Sequence, residues 1–271
     1  MAITNLDGYI GAAKQRVTWM KTGTRTLVAA MPYTLFDIAG SPGAGTLAIG
    51  NTANGVVPTD ATTGYPVIGT FSSNQGYLSK VEFGSSVACC LDLYDRLFAA
   101  GAFTYAAQTY TLSSQPSFSG RIPTNYCGLQ VWLEVVTNFV TGTAWTCHIT
   151  YTDQDGNTGA VGPDLATMAA AALPIGRMYQ MPLAAGDNGI QKLESVVITN
   201  GGTAMTAGTF NMSILRPLWF GRVICVNGGD VHDLLRTGFP RIYEDSALYM
   251  ILYADSTLVG LPDTSIQIAM G

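Results

Sequence analysis

From Tyr77 onward the chain is written in short runs of β-branched and aromatic residues, each closed by Gly, Pro, Asn, Asp or Ser. That rhythm restricts the fold more than any other feature, because strands of four to eight residues bounded by turn formers leave no room for long helices. The runs cover residues 78–83, 87–94, 104–112, 129–136, 144–152, 178–183, 193–199, 209–215, 221–226, 248–253 and 265–270. Asp155-Gly156, between residues 146–152 and 158–161, reads as a hairpin turn of type I′, whose central residues both need positive φ. No βα alternation interrupts the series, so the expected fold class is all-β, an antiparallel, jelly-roll-like β-sandwich with an extended N-terminal arm. Residues 165–173, rich in Ala, are the best helix candidate outside that arm.

One internal echo stands out. Leu78-Ser-Lys-Val-Glu-Phe followed by Cys90-Leu-Asp-Leu-Tyr-Asp-Arg-Leu-Phe resembles Leu193-Glu-Ser-Val-Val-Ile followed by Asn211-Met-Ser-Ile-Leu-Arg-Pro-Leu-Trp-Phe. Each pair is a strand, a Gly-containing connection and a second strand ending in Arg and aromatics. Two readings stand: pseudo-equivalent hairpins on opposite sheets of a jelly roll, or chance similarity between β-hairpins.

The chain divides by texture into three stretches. Residues 1–37 form an arm and a first strand. Asn5 is placed to cap a helix carrying Leu6, Tyr9, Ile10, Ala13 and Val17 on one face. Gly8 and Gly11 weaken it by about 1 kcal/mol each relative to Ala, so it needs a partner surface to form. Residues 38–76, rich in Gly, Pro, Asn and Thr, read as an extended loop draped over a neighbour, and residues 77–271 as the β-sandwich domain.

Only 11% of the 271 residues are charged, against about 25% in ordinary soluble domains. Asp60 alone carries charge between Ile38 and Ser79, and Arg121 alone between Leu97 and Leu133. A coat of Thr, Ser, Gly, Asn and Gln suits a subunit that neighbours cover, since neutral polar groups are cheaper to desolvate than ions. An extracellular β-protein with a neutral coat is the blander alternative. The net charge of −5 argues against an overall grip on nucleic acid. The longest apolar run, from Ala247 to Ala254, is too short to span a membrane, and no secretory signal opens the sequence. Five cysteines, with no CxxC spacing, read as small buried hydrophobes in a reducing compartment.

Motifs for chemistry are sparse. His148 reads as a half-buried strand residue. His232, with Asp230 and Asp233, has metal-ligand residue types, and a hydrogen-bonded loop histidine explains it as well. Asp153-Gln-Asp-Gly-Asn157 begins like a calcium loop but has Thr158 where the glycine belongs. Gly40-Ser-Pro-Gly-Ala-Gly45 lacks the Gly-Lys that a phosphate loop requires. No nucleophile elbow occurs, and a glycosidase carboxylate pair has no sequence signature to find. The expectation is a protein with no enzyme activity, no cofactor and no metal. The sequon at Asn211 means little without export. The one candidate site is a partner-binding surface on the arm: Lys14, Arg16, Lys21 and Arg25, which supply local basicity against a lone Asp7, and Trp19, read as an interface anchor.

The arm with Lys14-Gln-Arg-Val-Thr-Trp-Met-Lys21, the segment Phe36-Asp-Ile-Ala-Gly-Ser-Pro-Gly-Ala-Gly-Thr-Leu-Ala-Ile-Gly-Asn51, Leu215-Arg-Pro-Leu-Trp219 and Asp245-Ser-Ala-Leu-Tyr249 resemble virion structural proteins of tailed bacteriophages, most nearly capsid decoration (cement) proteins. The resemblance implies a homotrimeric β-sandwich in the virion, assembled in the bacterial cytoplasm, that clamps adjacent copies of the major capsid protein or binds other virion proteins. It implies no direct nucleic-acid or membrane partner. On that reading, deleting residues 1–25 leaves a folded protein that no longer binds particles. A tail or receptor-binding subunit that contacts host glycan is the alternative, and a carbohydrate-active β-sandwich enzyme comes behind it.

Overall fold

The computed structural model describes residues 3–271 apart from 24, 26–27, 74, 106, 124, 140–144, 169–172, 201–207 and 256–260. A short helix α1 (Leu6–Gly11) leads into β1 (Ala13–Lys21), β2 (Pro32–Thr34), β3 (Gly40–Ser41), β4 (Gly76–Ser85) and the long β5 (Cys89–Thr104). Next come β6 (Gln108–Thr111), β7 (Gln130–Thr137), β8 (Trp145–Asp153), β9 (Ala160–Val161), β10 (Leu165–Met168), β11 (Met178–Met181) and β12 (Ile190–Asn200). The chain ends with β13 (Thr209–Val223), β14 (Gly228–His232), the one-turn helix α2 (Leu234–Thr237), β15 (Arg241–Ile242), β16 (Leu248–Ala254) and β17 (Pro262–Met270). The fold is an all-β antiparallel sandwich.

Three sheets carry these strands, in the orders β14-β4-β17-β1-β3, β10-β8-β12-β6 and β11-β7-β13-β5-β16-β2. The chain forms two compact units. The first comprises Met1–Thr46, Pro58–Asp95 and Leu218–Gly271; the second comprises Leu47–Val57 and Arg96–Pro217. The first unit runs through both boundaries that texture suggests, at residues 37 and 76, and the second draws residues from both sides of the one at 76. β5 and β13 are long enough to contribute residues to each unit.

In the first unit, alternate residues of β1, β4 and β17 point inward. Val17, Trp19, Leu78, Val81, Ile266 and Ile268 are buried there, together with Leu91 and Leu93 of β5 and Tyr249 and Ile251 of β16. Each such side chain contributes roughly 1.5–3 kcal/mol. In the second unit Leu133, Val135, Ile149, Tyr151, Val196, Ile198, Phe210 and Met212 belong to one cluster, and the Phe139 and Trp145 rings stack 5.5 Å apart. A buried ion pair crosses this core. Arg96 Nη2 donates to Glu134 Oε2 at 3.0 Å, and Arg96 Nε donates to Ser213 Oγ at 3.0 Å. Arg121, isolated in a charge-free stretch, donates to the carbonyl of Arg96 at 2.9 Å.

Four expectations change. The arm is no free extension, because Ala13–Lys21 is a strand paired with β17 from Ala13↔Met270 to Met20↔Asp263. The helix stops at Gly11, so Ala13 and Val17 lie on β1 and not on a helical face. The 38–76 loop packs against its own chain: Leu47, Tyr65, Ile68 and Phe71 are buried. Its lone charge, Asp60, accepts the backbone N–H of Ile68 at 2.8 Å. Gly45 and Gly64 are needed there, because a Cβ at either would meet the Phe36 ring, and Gly64 also has φ +101°. The Ala-rich stretch is a strand, β10, over Leu165–Met168, while residues 169–172 of that helix candidate lie outside the described residues.

Candidate assembly surface

The five residues singled out on the arm divide by the alternation of β1. Lys14 and Arg16 lie on the outer side and Trp19 and Lys21 on the inner. Lys14 Nζ donates to the carbonyls of Tyr9 and Ala12 and sits 4.5 Å from the Tyr9 ring centre. Arg16 Nε donates to Ser265 Oγ, with Glu82 4.0 Å from its guanidinium. Trp19 is 1% exposed, so its ring fills the first unit's core and presents no anchor to a partner. Lys21 is equally buried, and its ammonium donates to the carbonyls of Pro42 (2.8 Å) and Gly43 (3.3 Å). The Gly-rich 40–45 segment thus turns carbonyls toward a cation. Burial lowers the Lys21 pKa to about 8, and Asp37 pulls it partly back up. Arg25, also buried, pairs with Asp37.

The exposed apolar surface lies elsewhere in the first unit. Asn5 caps α1 by accepting the Gly8 N–H at 2.8 Å, which leaves Leu6 and Ile10 facing solvent. Asp233 caps α2 by accepting the N–H groups of Leu235 and Arg236, which holds Leu235 outward at 86% exposure. Between α1 and α2 lies a concavity of about 490 Å³ lined by Ile3, Leu6, Tyr9, Tyr77, Leu235 and Phe239. The Tyr77 and Phe239 rings stack in it with centres 4.5 Å apart, and Tyr9 meets Phe239 edge-on at 5.8 Å.

The end of β13, the connection after it and β14 carry a second apolar group. Phe220 is 78% exposed and Ile224 80%, with Val226 and Val231 also in solvent. Beneath them Trp219 is fixed. Its ring meets Phe83 edge-on at 4.9 Å, and its Nε1 donates to His232 Nδ1 at 2.9 Å. Gly221 keeps that ring in place, since a Cβ there would come within 2.4 Å of it. His232 Nε2 faces Asp230 Oδ2 at 3.5 Å, and Arg236 reaches the same carboxylate at 2.9 Å. Burial first and the Arg236 charge second hold the imidazole pKa below its ordinary value, consistent with Nδ1 as an acceptor. Asp230 and His232 do come together, whereas Asp233 is occupied as the cap of α2.

The other motifs are engaged structurally. His148 Nδ1 lies 2.9 Å from Asp164. Asp153 accepts the N–H groups of Asp155 and Asn157 at 2.9 Å and the Asn157 amide at 2.7 Å, so a carboxylate shapes the turn. Gly156 has φ +91° but Asp155 does not have positive φ, so the turn is not type I′. The five cysteines are free thiols; Cys89 and Cys147 are buried, whereas Cys127 and Cys225 are exposed. Asn211 of the sequon is fully buried, and its amide donates to the Leu47 carbonyl. Among the described residues no three of His, Cys, Asp and Glu gather as a metal set, and no helix is long and apolar enough to cross a membrane.

No family model matches the chain, and no curated sequence does. Among solved structures it is similar to virus particles. The infectious bursal disease virus Gt strain shows 10% identity and a TM-score of 0.18, over 96% of this chain and 81% of that one. The T13 particle of the same virus shows 9% identity and a TM-score of 0.21, over 96% and 78%. The KBV activated particle at acidic pH shows 8% and 0.15, over 97% and 69%. Scores this low do not establish a shared fold.

Proposed function

We propose that this chain is a non-enzymatic structural subunit of a virus particle, and within that class a decoration subunit on the head of a tailed bacteriophage, where it clamps adjacent major capsid subunits. One observation carries the reading. Of the large apolar side chains exposed among the described residues, all but Val161 belong to the first unit, on a chain only 11% charged. Apolar side chains exposed mostly on one unit of a charge-poor protein support a surface that a partner covers. About 1,000 Å² of apolar contact gives roughly 25 kcal/mol gross, most of it offset by ordering and desolvation. Lys14 and Arg16, on the outer side of β1, favour an acidic capsid face, and self-association into a trimer uses the same kind of surface.

Deleting residues 1–25 is no longer a clean test, because it removes β1 from its sheet. The substitutions Phe220→Ser and Ile224→Asp replace it. Purified protein mixed with heads that lack it is expected to sediment with them, and the double variant to stay in the supernatant with its melting temperature unchanged. Wild-type protein that remains a monomer and never sediments with heads would overturn the proposal.

A tail or receptor-binding role is the second reading, favoured by a polar concavity of about 340 Å³ in the second unit lined by Ser117, Ser119, Tyr126, Thr152, Gln191 and Lys192. Binding to host glycan by the isolated protein, with no affinity for heads, would select it. A carbohydrate-active enzyme needs two acids about 5–10 Å apart in one cleft, and hydrolysis across a glycan panel would reveal it.

A further inference from the structure

The strand order repeats itself. Set aside the two-residue strands β3, β9 and β15, and write the remainder as a first half, β1-β2-β4-β5-β6-β7-β8, and a second half, β10-β11-β12-β13-β14-β16-β17. Match them in order, β1 to β10 through β8 to β17. Exchanging each strand for its match turns the sheet path β14-β4-β17-β1 into β6-β12-β8-β10, which is the order of the second sheet. The third sheet, β11-β7-β13-β5-β16-β2, becomes its own reverse.

The partners follow the same rule. β4 pairs with β14 and β17, and β12 pairs with β6 and β8. β5 pairs with β16, and β13 with β7. β2 pairs with β16, and β11 with β7. β1 pairs with β17, and β10 with β8. Each of these ladders is antiparallel, and each joins a strand of one half to a strand of the other.

Spacing agrees with topology. Gly76 and Ile190, Cys89 and Thr209, Gln108 and Gly228, Gln130 and Leu248, and Trp145 and Pro262 begin five of the seven matched pairs, each about 114–120 residues apart. The first two pairs, Ala13 with Leu165 and Pro32 with Met178, are about 152 and 146 apart, so the first half carries a longer connection, residues 35–75, before β4. The two longest strands also change units at matched places. β5 leaves the first unit between Asp95 and Arg96, and β13 leaves the second between Pro217 and Leu218. The sequence echo falls on two matched pairs of consecutive strands, β4 with β5 and β12 with β13, which are not hairpins because each pair is split between two sheets; Arg96 and Gly101 in one answer Arg216 and Gly221 in the other. Independent origins give no reason for order, direction, spacing and crossover point to coincide.

We infer that the chain is an internal duplication of one seven-stranded repeat, in which each half is the other's binding partner and supplies the strands that complete the other's sheets. A half taken alone leaves its main ladders without partners, and unpaired backbone groups are costly when buried. Strand exchange between identical copies is a low-cost route to dimers, and here two copies are joined in one chain. The halves have since diverged in surface, since nearly all the exposed large apolar side chains belong to one unit.

Two experiments on the whole chain test this without any particle, so their failure is separate from failure of the virion role. In the first, a protease site placed between Asn157 and Thr158, in an exposed loop between the halves, is cleaved after folding. The nicked protein is expected to elute at the intact mass, and its fragments to part only in denaturant. Two folded species separating in native buffer would overturn the exchange. In the second, a permuted chain starts at Thr158, joins Gly271 to Met1 through a short flexible linker and ends at Asn157. The join is short because Ile3 N donates to the Gln75 side chain (3.1 Å) and Gly271 N to the Gln75 carbonyl (2.7 Å). The permuted chain is expected to show the native far-ultraviolet spectrum and a cooperative melt, since reversing the order of equivalent repeats leaves every ladder in place. A permuted chain that stays unfolded while the nicked one holds together would overturn the equivalence of the halves.

Discussion

Lys21 shows how one side chain reports on its surroundings. Its ammonium is buried against two carbonyls, and its pKa falls to about 8 from the ordinary 10.5. Between those values the folded chain has released a proton that the unfolded chain still holds, so stability rises with pH across that window. Stability of the wild type relative to Lys21→Met is expected to increase from pH 8 to pH 10, read by denaturant melts; parallel curves would refute this. Glu134 and Arg96 are both fully buried, and removing one partner strands the other. Glu134→Ala is expected to destabilise by about 3–5 kcal/mol in the same assay. At Gly64 a Cβ would meet both Gly45 and the Phe36 ring at positive φ, so Gly64→Ala is expected to cost about 1–3 kcal/mol or more. Little of this is legible in the sequence. The inward position of Trp19 follows only once Ala13–Lys21 is known to be a strand, and the exposure of Phe220 and Ile224 depends on which strand faces lack a covering sheet.

At the scale of elements the sequence is far more readable. Runs of β-branched and aromatic residues locate β4, β7, β8, β12, β16 and β17 to within a few residues, because a half-buried strand must alternate. The failures have local causes. Glycines at 8 and 11 shorten α1, so the chain turns extended where apolar spacing alone favours helix. Pro217 splits the reading of β13 into two runs, yet the strand continues from Thr209 to Val223, and the proline falls at the last residue of the second unit. The turn after β8 depends on Asp153, whose pKa is lowered chiefly by the Asn157 side chain. Its contribution is present above the ordinary carboxylate pKa and is lost as pH falls through the lowered value. Asp153→Ala is therefore expected to melt lower than the wild type at pH 7 and to converge with it toward pH 2.

For the whole molecule, the class was legible and the partition was not. Long-range pairing of β1 with β17 and of β4 with β14 leaves no trace in local composition, so texture drew boundaries that the compact units cross. The texture of the surface was legible, and it predicts behaviour in solution. Phe220→Ser with Ile224→Asp is expected to reduce concentration-dependent association in sedimentation velocity while shifting stability by no more than about 0.5 kcal/mol. β5 and β13 carry one further consequence. A strand in a half-buried sheet that slips by one residue turns its inward side chains out. Each of these two ribbons threads a pair of hydrophobic interiors, so the same slip would spoil packing twice over. Misalignment is thereby penalised double along the two longest strands of the fold.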